Sequence, residues 1–371
     1  MAVVSADPAD PGNDSPSGQL DARHPLHPQA SPSNDPSDEV PERFQILALD
    51  GGGAKALFTA HVLARLEEDL GVNITDSFDL IAGTSAGGIV ALGLGAGLKP
   101  REIAESYEQL VGAVFPATRR RLWRRPRQLT APVYEAKVLR QALTEVLGDR
   151  RLGESTKRLI IPAWDVQRGA VHIFKTPHHP RLRRDNRLSM VDVAMATSAA
   201  PTFFAAAHVD GQRLIDGGVW ANNPSVVAIS EAVSMLDVPL SSIRVLNVGA
   251  VDQRTNHPER LDTGGWLNWA KSAVDLMVSA SSRGAQGTAM HLIGADSFVR
   301  FDAVVPGLLF TLDRADPGAL AGLAAGESRA LSPHFTERFA DHHVRPYTPT
   351  SPPRSDQPVE PGTSTTPGGP S

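Results

Sequence analysis

The segment FDLIAGTSAGGIVALGLGAGL, residues 78–98, limits the possible folds more than any other stretch of this chain. From Leu80 to Leu98 it carries no charge, and its length approaches what a bilayer crossing requires. Six of those residues are glycine, however, and the run is interrupted by Gly-Thr-Ser-Ala-Gly. Its first half reads as a strand, its second half as an apolar helix. A strand, a tight turn and a buried helix explain the pattern better than a membrane span, and they set an α/β frame for the rest of the chain.

The break itself, GTSAG, matches G-x-S-x-G. In such an elbow the serine sits on a cramped strand-to-helix turn, and flanking glycines, here Gly83 and Gly87, let neighbouring backbones approach. The hydroxyl of Ser85 would stand at a helix N-terminus, where amides and the helix dipole favour developing negative charge. A small-residue turn would produce the same five letters by chance. The strand before it and the helix after it favour the nucleophile.

Two further stretches share this punctuation. FQILAL, residues 44–49, is a short apolar run suited to a buried parallel strand, and it stops at DGGGAK. Consecutive glycines can turn their amides toward an anion without side-chain obstruction. Ala56 stands where a dinucleotide fingerprint needs glycine, and the spacing of a Walker loop is absent. An oxyanion hole from Gly51, Gly52 and Gly53 is the remaining reading, with Lys55 either assisting or simply solvated. LIDGGVWANNP places Asp216, Gly217 and Gly218 at the end of another strand. Asp-Gly alone usually marks a turn; an aspartate ending a strand of the same sheet could reach Ser85 at the strands' carboxyl ends.

Between these motifs, Phe58, Val62, Leu63, Leu66 and Leu70 trace one face of a helix closed by Gly71. Strands are expected at residues 158–164, 170–175, 212–216 and 243–249, and helical patterning returns across 266–292. Alternation of this kind predicts a mainly parallel α/β sheet covered by helices on both faces. Residues 1–42 and 346–371 are rich in proline, serine, aspartate and glycine and are expected to be disordered tails around a folded body at 43–345. The first of these has no charged-then-apolar signal pattern.

Composition narrows the function. A net charge of −5 argues against binding a nucleic-acid polymer. The absence of cysteine removes disulfides, thiol nucleophiles and thiolate metal sites together, and it suits a reducing cytoplasm. No HExxH or EF-hand pattern supplies a metal, so neither metal nor cofactor is expected. Two basic clusters, RRRLWRRPR at 119–127 and RLRRDNR at 181–187, are either solvated loops or docking points for anionic headgroups.

DGGGAK, GTSAG and DGG in this order, with TSAAPTFF at 197–204 ahead of the aspartate, resemble the patatin-like phospholipase family. The resemblance spans about residues 44–223 and departs chiefly at Ala56, where the family usually has glycine. It implies a three-layer α/β/α fold and a Ser–Asp dyad in place of a triad. Carried over by position, Ser85 is the nucleophile, Asp216 the base, and Gly51, Gly52 and Gly53 the oxyanion segment. It also implies a phospholipid or other lipid acyl ester as substrate and transient contact with a membrane surface. WDVQRGAVHIFKTPHH, residues 164–179, is similar to the bacterial branch that acts as anti-phage effectors switched on by cyclic nucleotides, which implies such an activator.

Two alternatives remain open at this stage. An ordinary α/β-hydrolase would complete a triad with a histidine after Asp216, namely His257, His291, His334, His342 or His343, while His178 and His179 are expected in a polar loop. A non-catalytic lipid- or nucleotide-binding protein on the same scaffold is the other. The dyad reading makes one geometric demand: side chains 131 residues apart must meet within hydrogen-bond reach.

Overall fold

The computed structural model describes residues 42–115, 131–254, 262–263, 273–306 and 316–350. In chain order its elements are β1 (Phe44–Leu49), α1 (Leu57–Leu70), β2 (Leu80–Gly83), α2 (Ala86–Gly95), α3 (Pro100–Val114), α4 (Ala136–Leu147), β3 (Arg158–Asp165), β4 (Ala170–Lys175) and α5 (Met190–Thr197). They continue with β5 (Ala207–Val209), β6 (Gln212–Asp216), α6 (Gly218–Ala221), α7 (Ser225–Met235), β7 (Ile243–Val248) and β8 (Asp252–Arg254). The last are α8 (Ala273–Ile293), β9 (Phe298–Phe301), β10 (Val304–Pro306) and α9 (Pro317–Arg338).

The main sheet runs β5-β6-β3-β2-β1-β7-β9, with β4 also paired to β3. Its centre, β3-β2-β1-β7-β9, is parallel, whereas β4, β5 and β6 are antiparallel additions. Strand parity builds the three layers. Leu47 and Leu49 of β1, with Ile81 and Ile161, pack among α1, α2, α3, α5 and α9. Phe44, Ile46 and Ala48, with Leu80, Ala82 and Ile160, pack against α7 and α8. Every residue of β1 is therefore buried, including Gln45, whose side-chain amide donates to the Ser77 and Phe339 carbonyls, which is why the strand reads as a nearly continuous apolar run instead of an alternating one.

The uncharged segment is accounted for in the same way. All ten residues of α2 are buried, so the helix has no solvent face on which a charge could sit. Among the described residues no helix is long and apolar enough to cross a membrane. The α1 pattern is realised as expected: Phe58, Val62, Leu63 and Leu66 are buried, and Gly71 closes the helix at a φ of 65°.

One expectation needs correction, and another is refined. The folded body does not stop at Arg345: the Arg158 guanidinium lies 5.3 Å from the ring centre of Tyr347, and Thr350 donates to the Pro177 carbonyl from its amide at 2.8 Å and from its hydroxyl at 2.7 Å. One aromatic anchor and one hydroxyl hold residues 346–350 to the body, and composition averaged over a tail cannot register them. His178 does lie in the loop after β4, among polar partners, but the loop carries it into the interior. It is buried, with one ring nitrogen 2.9 Å from the Thr176 hydroxyl and the other 3.1 Å from Glu231, itself held by Lys175 at 2.5 Å.

Candidate active site

β3 brings the two halves of the site together. Along one edge it pairs with β2 at Arg158 to Ile160, and further along with β6 at Ala163 to Asp165, while β4 occupies the opposite edge. Because β2 is parallel to β3 and β6 antiparallel, their carboxyl ends point at each other along that shared edge. Gly83 ends one strand and Asp216 the other. The sequence argument placed the aspartate beside the serine at the strands' carboxyl ends; the structure brings it in head-on.

The local sequence is what permits so close an approach. Ser85 has φ 54° and ψ −123°, a conformation that L-residues rarely adopt and that the G-x-S-x-G elbow imposes. A Cβ on Gly87 would run into the carbonyl oxygens of Leu49 and Asp50, and one on Gly83 into the carbonyl of Gly87. The elbow is clamped from three sides. Thr84 donates from its amide to Leu49 (3.1 Å) and from its hydroxyl to Ala221 (2.7 Å), and the Ser85 amide donates to the Thr197 hydroxyl (2.9 Å). The Thr197 hydroxyl in turn donates a hydrogen bond to the Pro162 carbonyl at 2.7 Å.

Ser85 Oγ donates to Asp216 Oδ2 at 2.6 Å, and the second carboxylate oxygen accepts the Gly218 amide at 2.6 Å. Gly217 allows this turn, since a Cβ there would strike the Pro162 carbonyl. Burial pushes the Asp216 carboxyl up to about 6, against the opposing pull of the Ser85 and Gly218 hydrogen bonds. A carboxylate poised there is a far better base at neutral pH than one in water.

The glycine loop divides unevenly. Gly51 donates its amide to the Asn222 carbonyl at 2.9 Å and does not line the cavity, which corrects its expected place in the oxyanion hole. Gly52 and Gly53 do line it, and their amides have no acceptor among the described residues. They open the short helical turn Gly53–Ala56, where the first amides lack intrahelical partners. Lys55 lies half-buried within that turn and is not part of the cavity wall.

Several residues that fix the loop escaped the sequence reading. The Tyr107 hydroxyl donates to the Gly53 carbonyl at 2.9 Å. Asp50 forms a buried ion pair with Arg300 at 2.8 Å and accepts from Asn247 at 2.7 Å, while Asn223 donates to Asn247 at 2.9 Å. Asn222 and Asn223 stood in a motif that was noted for Asp216 and the two glycines after it. Asn247 and Arg300 carried no local signal.

In front of Ser85 opens a cavity of about 100 Å³, walled by Ile89, Leu110, Phe115, Leu139, Phe203, Phe204 and Val278 among others. Polar groups in its lining are few: Ser85, Asp216, Tyr107, Ser198 and Asn222. No histidine among the described residues lines it. His342 bonds Asp79 at 2.7 Å, and His334 packs toward Phe301. With both Asp216 oxygens already occupied, the triad alternative finds no imidazole among the described residues, and His257 lies outside them. No group of metal-ligating side chains is present among the described residues. The basic stretch at 119–127 also lies outside the described residues. In the second stretch Arg187 pairs with Asp210 at 3.0 Å and Arg184 with Gln212 at 3.1 Å, so these two guanidinia are engaged within the protein.

Comparison with known proteins identifies relatives of this arrangement. The profile of the family described as "Patatin-like phospholipase" matches residues 47–229. A "cGAMP-activated phospholipase" of Vibrio cholerae is 33% identical over 335 residues, covering 82% of this chain and 94% of that one. Proteins of the same name from Escherichia coli and Pseudomonas aeruginosa are 32% and 35% identical, covering 80% and 81% of this chain and 90% and 93% of theirs.

Proposed function

The chain belongs to the patatin-like phospholipase family, and we propose that it cleaves lipid acyl esters with Ser85 as nucleophile and Asp216 as the sole general base. One observation carries this reading: the 2.6 Å bond from Ser85 Oγ to a desolvated Asp216 at the wall of an apolar cavity. An acyl chain fits among Ile89, Leu110, Leu139 and the phenylalanines, leaving its ester at Ser85. Asp216 takes the serine proton as Oγ attacks the carbonyl carbon. The amides of Gly52 and Gly53 receive the oxyanion, each such donor typically contributing about 2.7–4 kcal/mol to the transition state. The proton then passes to the departing alcohol oxygen. Water attacks the acyl-serine, with Asp216 again as base.

Two parts of the proposal concern how the enzyme meets lipid and what switches it on. Val219 lines the cavity and is 43% exposed. It gives the site an exposed apolar side chain suited to transient contact with a membrane surface. Activation by a cyclic dinucleotide is proposed because three relatives named for it align along most of this chain.

The test is hydrolysis of phospholipid vesicles by wild type and Ser85→Ala, each with and without cGAMP, beside labelling by a fluorophosphonate. Turnover and labelling are expected only with Ser85 present, and turnover to rise with cGAMP. Labelling that persists in Ser85→Ala would refute the nucleophile. Turnover indifferent to cGAMP would refute the activator alone.

A further inference from the structure

Among the described residues, Ser198 is the one polar residue of the cavity wall whose side chain is both buried and without a hydrogen-bond partner. It caps the C-terminal end of α5, is 7% exposed, and its hydroxyl has no hydrogen-bond partner among the described residues. Buried hydroxyls in folded proteins are nearly always paired, because leaving one unpaired costs about 1–3 kcal/mol. An exception inside an active-site cavity points to a partner that arrives with the substrate.

The sheet order says which part of the substrate that is. The glycine loop follows β1, and β1 flanks β2 on the side opposite β3. Ser198 belongs to the β3 side: its predecessor Thr197 bonds Pro162 of β3, and its successor Ala199 accepts the Asp216 amide at 3.1 Å. A carbonyl carbon bonded to Ser85 with its oxyanion turned to Gly52 and Gly53 must present another substituent toward Asp216. That substituent is the alkoxy oxygen, because Asp216 has to return its proton there when the carbon–oxygen bond breaks.

We propose that the Ser198 hydroxyl donates a hydrogen bond to the leaving alcohol oxygen of the ester, and so acts as a second, substrate-contacting hydroxyl of this site. The proposal rests on the Ser85–Asp216 reading and adds to it. In the step itself Ser85 Oγ bonds the acyl carbon, the bond to the alcohol oxygen breaks, and the electron pair stays on that oxygen. Asp216 gives it the proton taken from Ser85. Ser198 keeps its own proton throughout and stabilises the charge that develops before the transfer is complete. An alkyl leaving group needs that help; an aryl one, whose oxygen bears the charge readily, needs it much less.

Dihexanoyl phosphatidylcholine and p-nitrophenyl hexanoate share an acyl chain and differ in the leaving group, so the pair isolates the effect. With cGAMP present in every arm, Ser198→Ala is expected to lower kcat/KM, which reports the acylation step, about tenfold more on the phospholipid than on the aryl ester, the loss of one hydrogen bond to developing charge. Ser198→Cys, which keeps the volume but donates weakly, should behave as Ser198→Ala does. Urea unfolding of Ser198→Ala should match or exceed wild type, since no internal bond is lost. Equal losses on both substrates, no loss, recovery by cysteine, or a destabilised Ser198→Ala would each overturn the assignment. If Ser85→Ala still hydrolyses either ester, the dyad fails and Ser198 falls with it. If Ser85→Ala is inactive while Ser198→Ala leaves the ratio unchanged, only Ser198 falls.

Discussion

Asp216→Asn should make this protein more stable while abolishing its turnover, and the size of the gain should depend on pH. The carboxyl is raised from 3.8 to about 6, because burial disfavours its charged form. A raised acid contributes nothing adverse below the unfolded value, where both states hold the proton. Between the two values the unfolded chain ionises first, and stability is lost until the folded pKa is passed. The difference of about 2 units corresponds to roughly 3 kcal/mol above pH ~7, and about half of that at pH ~5. Asparagine carries no charge, can still accept the Gly218 amide and can donate to Ser85, so it removes this penalty and little else. Urea unfolding of the two proteins at about pH 8 and about pH 5 measures the gap directly. In parallel, kcat/KM of wild type should rise with a midpoint near 6 and stand about tenfold below its plateau one unit lower. A variant no more stable than wild type at the higher pH would refute the claim that burial sets this base, as would a gap that ignores pH.

Two substitutions probe the supports of the site. Thr197→Val removes the acceptor of the Ser85 amide and the donor to Pro162; it should cost about 1–3 kcal/mol by urea unfolding and lower kcat more than it raises KM, because the elbow loses its brace. Arg300→Ala strands Asp50 as an unpaired buried charge beneath the glycine loop and should destabilise by about 3–5 kcal/mol, part of which Asp50→Asn in the same chain should restore.

The parts of this fold that were legible in sequence are those whose cause is local. Residues 44–49, a mainly apolar run, and 212–216 read as strands that stop at Asp-Gly-Gly, and the structure places β1 and β6 there without shift. Gly83, Ser85 and Asp216 could be read for the same reason. What escaped depends on partners distant in sequence. β9 is only four residues long and owes its strand state to pairing with β7. Arg300 and Asn247 look like ordinary sheet residues until they meet beneath Asp50. Gly51 was grouped with Gly52 and Gly53 because three identical letters say nothing of where each amide points; only the Asn222 carbonyl distinguishes them. Ser198 lay inside a stretch noted for its resemblance, but that its hydroxyl has no partner is a property of the packed cavity.

On the proposed mechanism, the head-on meeting of β2 and β6 would let two residues suffice where other serine hydrolases use three. An imidazole relay needs two hydrogen bonds and the width of a ring between hydroxyl and carboxylate, whereas here the two oxygens are in direct contact at 2.6 Å. The base strength of Asp216 would then have to come from its surroundings, which include the cavity proposed to receive the acyl chain. Filling that cavity with hydrocarbon removes the remaining solvent access to the carboxylate and disfavours its charge further. The substrate thereby strengthens the base that cleaves it. The pH dependence of kcat reports the loaded enzyme and that of kcat/KM the empty one, so the midpoint of kcat should lie above that of kcat/KM. Coincident midpoints, or a lower one in kcat, would mean that the carboxylate is already as dry as it becomes and that the acyl chain serves only for binding.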